Sequence, residues 1–207
     1  MKYIAIVTIL SLVGLAGACA SSPETTTKTT NAVATNTATN AASNAATTNA
    51  APKSDNDAPA SVKAVFPDAQ SFTTQHKDIP ADKIASIEKD TDSKVPDKDH
   101  HSYLAFSTAG GARKQVGAAT IVKVEGRDVI VVYDNKDGSP IIKEVRADGV
   151  PAPFLAQFAG KGHDNDLLLG ADIKASGANE AQAKAITEAV RVDVLTMQAL
   201  YGSAHKH

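Results

Sequence analysis

Near the carboxyl end, Ile186, Val190, Val194, Met197 and Tyr201 recur at intervals of 4, 4, 3 and 4 residues. That is the stripe of an amphipathic helix with one face buried, and it predicts a long closing helix from about Glu180 to Tyr201. Asn179 stands just before it and Gln182 three residues on, the pattern of an N-cap and capping box. Upstream the period changes. Tyr103 to Phe106 reads as a strand followed by a Gly110-Gly111 turn, and Ala118 to Val124 and Val129 to Tyr133 are β-branched runs joined by Glu125-Gly126-Arg127-Asp128, an antiparallel hairpin. Asp137-Gly138 is a second tight turn before Ile141 to Val145. Pro80 opens a short helix carrying Ile84 and Ile87 that stops by Asp92, and Phe154 to Phe158 predicts another ended by Gly160. The expected class is α+β: an antiparallel sheet of three to five strands, covered by a short N-terminal helix and a long C-terminal one.

Before this patterned region the chain is different in kind. From Ala20 to Ala60, Ala, Thr, Asn and Ser make up 32 of 41 residues, and Val33 is the one sizeable aliphatic. Such a segment buries too little apolar surface to offset the entropy of ordering it, so residues 19–60 are expected to form a disordered tether. As a coil it would span about 35 Å. Ahead of it, Lys2 and the uncharged run Ile4 to Ala18 have the form of a secretory signal, too short for a permanent membrane helix. Leu15-Ala16-Gly17-Ala18-Cys19 resembles the lipobox of bacterial lipoproteins, although Leu stands one residue earlier than usual. The resemblance implies cleavage after residue 18 and lipidation of Cys19, with the membrane as a partner. Each buried acyl methylene contributes about 0.8 kcal/mol, so three chains hold durably. Ala20 after the Cys resembles the outer-membrane class, which implies a protein facing the periplasm or the cell surface.

The composition removes several functions. A net charge of −2, from 21 Lys+Arg against 23 Asp+Glu and with no basic block, lacks the footprint of a nucleic-acid binder. One Cys in 207 residues allows no internal disulfide, four-Cys zinc site or Cys-ligated iron–sulfur cluster. No Gly-x-Ser-x-Gly elbow is present, and Ser107, Ser139, Asp90 and Asp92 sit in turn or charge-rich surroundings, so substrate turnover has no support. No metal ligand set is expected either. His100 and His101 are adjacent in a strand, where neighbours point to opposite faces. His163-Asp164-Asn165-Asp166 reads as a solvated loop, and Asp134 to Gly138 lacks the ligands of a calcium loop.

Residues 61–207 form the expected domain, and its second half carries a resemblance. Phe154-Leu155-Ala156-Gln157-Phe158-Ala159-Gly160-Lys161, Gly170-Ala171-Asp172-Ile173, Ser176-Gly177-Ala178 and Ala189-Val190-Arg191 are similar to the FMN-binding domain family, which includes flavin-carrying subunits of electron-transport complexes and related extracytoplasmic redox proteins. Phe66-Pro67-Asp68-Ala69 and Val116-Gly117 occur in the family's order as well. In that family the loop ends in Ser-Gly-Ala-Thr, and in several members the Thr carries FMN through a phosphoester. Here Asn179 replaces the Thr, which excludes that ester, and Glu180 puts a negative charge where the phosphate would sit. The resemblance thus implies an electron-transfer module with FMN held non-covalently by Ser176, Gly177, Ala178 and Asn179, with Lys161 neutralising the phosphate and a redox partner protein supplying electrons. The alternative is a flavin-free binding or structural lipoprotein that keeps the fold; Asn179, Glu180 and the absence of Trp favour it.

Overall fold

The computed structural model describes residues 58–203. The signal segment, Cys19 and the tether up to Asp57 lie outside the described residues, as do His205 and His207. Ala58 is already buried beside Val62, and a first helix, α1, spans Ala60–Val65. Residues 58–60, which composition assigns to the tether, therefore belong to the folded part.

The five strands β1 (Ser71–Asp78), β2 (Asp99–Ser107), β3 (Lys114–Val124), β4 (Arg127–Lys136) and β5 (Ser139–Ala147) form one antiparallel sheet in chain order. The α+β class and the long closing helix are as expected; the short helix that covers the sheet is α1, ahead of the one that Pro80 opens. Both tight turns form as their residues dictate: Glu125 and Gly126 have φ of 51° and 79°, Asp137 and Gly138 of 54° and 83°. Positive φ at both central residues matches the turn to the strand twist. Helix α2 (Ala81–Thr91) starts after Pro80 and ends at Asp92, which is left-handed.

Two differences concern the amino-terminal third. β1 is a strand that no alternation announces, because in Ser-Phe-Thr-Thr-Gln-His-Lys-Asp only Phe72 is buried and the edge position leaves the rest to solvent. Helix α2 therefore lies between two strands rather than ahead of the sheet.

The sheet has a core on each face. On one, helix α4 (Glu180–Tyr201) lays Ala183, Ile186, Val190, Val194 and Met197 over Val129, Val131, Tyr133, Ile142 and Val145. The short helix α3 (Ala152–Leu155) and the 3-10 turn Ala156–Phe158 close one end, with Phe154 and Phe158 packed edge to face at 5.5 Å. On the other face, Val62, Val65 and Phe66 cover Phe72, Ala105, Ala119, Ile130 and Val132. A Cβ on Gly117 would stand 2.6 Å from the Phe66 ring, so a bare backbone is what lets that ring lie on β3. No helix among the described residues is long and apolar enough to cross a membrane.

Candidate functional site

The turn singled out from the sequence is built by Gln157. Its side-chain amide donates to the carbonyl of Lys174 at 2.8 Å and to Ser176 Oγ at 3.0 Å, while Lys174 N–H donates to Gln157 Oε1 at 2.9 Å. One Gln thus serves as a strand-like partner for the chain entering the turn. Ala178 N–H closes it on the carbonyl of Ala175 at 2.7 Å, with φ of 35° at Ser176 and 85° at Gly177. Gly177 suits that conformation because it carries no Cβ. Gln157→Ala should remove the three hydrogen bonds that hold the turn and cost about 1–2 kcal/mol. Amide exchange should speed up over residues 174–178 and stay unchanged in β4.

Ser176, Gly177 and Asn179 are exposed, and Ala178 is half-buried against the main core. Asn179 caps α4: its Oδ1 accepts from Ala181 N–H at 3.0 Å and Gln182 N–H at 3.4 Å. These are the donors a helix end offers to a bound anion, and the chain occupies them with its own side chain. Lys161 is attached elsewhere. Its carbonyl accepts from Ile142 N–H at 2.8 Å, and among the described residues no hydrogen bond or ion pair joins its ammonium to the turn. The structure brings Ser176 to Asn179 together at the mouth of α4.

A second site is formed where two strands separate. The β2–β3 ladder runs from Ser107↔Lys114 only as far as Tyr103↔Ala119. Beyond it, residues 99–102 stay with β1 and residues 120–124 stay with β4. The fork opens a cleft of about 790 Å³, closed on other sides by the α2–β2 connection and α4. Strand alternation puts Tyr103, Ile121 and Lys123 in its wall from one face of the sheet, and His100, Thr120 and Val122 from the other.

On the α4 side the cleft is anchored by Asp193, which is 7 % exposed. Its Oδ2 accepts from Thr120 Oγ at 2.5 Å and from the Tyr133 phenol at 2.7 Å, and its Oδ1 lies 3.1 Å from His100 Nε2. Three donors from β2, β3 and β4 thus meet one carboxylate of α4, which is what a buried charge requires. Burial first, then the neighbouring carboxylate, pushes the Tyr133 phenol well above its ordinary value, so it stays a donor. Asp193 takes the Nε2 side of the His100 ring and leaves Nδ1 to find a partner of its own. That atom is buried and has no hydrogen-bond partner among the described residues. All these groups point at the carboxylate.

Asp193 had one signal in the sequence. It falls three residues after Val190 and four before Met197, on the apolar stripe, where a carboxylate needs buried donors. Which donors it meets depends on pairing: His100 is 93 residues away. As expected, His100 and His101 face opposite ways, the first toward Asp193 and the second toward Asp99 at 2.9 Å. His163 lies 3.1 Å from Asp164 and lines a smaller cavity of about 320 Å³ with Asp90 and Arg191. Asp90 is no loop residue but belongs to α2, and Arg191 donates to its carbonyl at 2.8 Å, tying α2 to α4. Comparison with known proteins finds no matching family model, no matching curated protein and no matching solved structure.

Proposed function

We propose that this protein is an extracytoplasmic binding protein, held to a bacterial membrane through lipidated Cys19 and its long tether, that takes a small ligand in the cleft between β2 and β3. The observation that carries this reading is the fork itself: a sheet that parts over a cleft of ligand size, with His100 among its lining residues. The wall combines apolar surface from Val95, Pro96, Val122 and Val192 with the His100–Asp193 pair. It suits a small amphipathic molecule. The protein binds and does not turn its ligand over.

The second reading is the electron-transfer module, with FMN held non-covalently at Ser176 to Asn179 and exchanging electrons with a partner protein. Its support is the exposed glycine turn that Gln157 holds at the start of a 22-residue helix. Against it, Asn179 takes the helix-end donors and Glu180 adds a charge beside them.

One experiment separates the two. The full chain is titrated with an amphipathic fluorescent dye and, separately, with FMN, followed by flavin absorbance between about 350 and 500 nm. The cleft reading expects saturable dye binding that Ala189→Phe, which fills the cleft, abolishes and Gly177→Glu leaves intact, with no yellow complex. Dye binding unchanged by Ala189→Phe overturns it. A yellow complex lost in Gly177→Glu establishes the flavin reading instead.

A further inference from the structure

We propose that His76, Asp99 and His101 bind one divalent transition-metal ion on the α1 side of the β1–β2 ribbon. The register sets His76 directly across from His101, and Asp99 precedes His101 by two residues, so strand alternation brings all three to one face. Asp99 Oδ2 lies 2.9 Å from His101 Nε2 and 3.4 Å from His76 Nδ1, and the two imidazoles are 4.1 Å apart, centroid to centroid.

One ligand atom from each residue lies within 4.8 Å of the other two. Around a tetrahedral ion with bonds of about 2.1 Å, ligand atoms are separated by roughly 3.4 Å, a distance small side-chain rotations reach here. Two imidazoles and one carboxylate suit zinc, copper or ferrous iron better than calcium or magnesium, which prefer oxygen alone. With three protein ligands, the ion keeps a position open to an outside ligand. The side chains are between 41 and 49 % exposed, so an ion reaches them without any opening of the fold. Asp97 Oδ1 accepts the backbone N–H of Asp99 at 3.0 Å, which fixes the start of the ligand-bearing strand. Asp99 and His101 also stand in the wall of the cleft.

This inference does not rest on the cleft's ligand, and its readout is independent of the dye. Because His205 and His207 offer a competing chelator at the chain end, the test uses the full chain carrying His205→Ala and His207→Ala. Calorimetric titration with Zn²⁺ should show one equivalent bound, with a rise in melting temperature. Adding His76→Ala or His101→Ala should abolish both while moving the metal-free melting temperature by no more than about 2 °C. Co²⁺ should give the visible absorption of an imidazole-bound ion in the parent and not in either variant. No zinc uptake by the parent, or uptake that survives both substitutions, overturns the proposal.

Discussion

Replacing Asp193 by Ala should destabilise the fold by about 3–5 kcal/mol, because it strips three buried or nearly buried donors of their common acceptor. The one carboxylate links α4 to β2, β3 and β4 at once. Its loss leaves the Thr120 hydroxyl and the Tyr133 phenol, both almost fully buried, without their acceptor. For a domain of this size the melting temperature should fall by about 10 °C or more, seen by scanning calorimetry. Asp193→Asn should fall between: the amide keeps one acceptor oxygen but turns an NH2 group toward groups that themselves donate. A coupling test identifies the mechanism. Tyr133→Phe should cost about 1–3 kcal/mol in the parent and close to nothing in Asp193→Ala, since the bond is already broken there. A loss below about 1 kcal/mol for Asp193→Ala would mean that water from the cleft takes the carboxylate's place as acceptor.

What was legible in the sequence was whatever depends on neighbours along the chain. The 4-4-3-4 spacing from Ile186 to Tyr201 forms α4 over its expected length, because 3.6 residues per turn is a local property. Glu125-Gly126 and Asp137-Gly138 form hairpin turns because each offers a Gly, which adopts positive φ without strain, at a two-residue loop. The candidate turn was legible in part: Ser176 to Asn179 sits at the mouth of α4 as its capping pattern required. Lys161 is held by the main chain of Ile142, a contact no spacing encodes. The rest was hidden by pairing across the sheet. His76 and His101 become neighbours only through the β1–β2 register, and β1 itself is an edge strand with one buried side chain. The cleft is hidden further still, since it arises where a ladder stops, and both strands continue past that point with other partners.

Phe158→Ala is the second large effect expected, and it connects the core to the turn. Phe158 is fully buried and meets Phe154 edge to face; removing its ring should leave a cavity and cost about 3–5 kcal/mol, whereas Phe158→Leu should cost less than half of that. The ring also holds down the 3-10 turn from which Gln157 reaches Lys174 and Ser176. That segment is pinned to β5 just after it, where Gly160 N–H donates to the Ile142 carbonyl at 2.8 Å. With Phe158 shortened, the 3-10 turn loses its anchor on the core side while the β5 link persists, so Gln157 can no longer hold its fixed distance to Lys174. Amide exchange should therefore rise over residues 174–178 in Phe158→Ala, as in Gln157→Ala, but with a much larger fall in melting temperature. Fast exchange in Gln157→Ala with near-parental stability, beside slow exchange in a destabilised Phe158→Ala, would show that the turn stands on the Gln157 hydrogen bonds without help from the Phe158 ring, and that the core exerts no control over it.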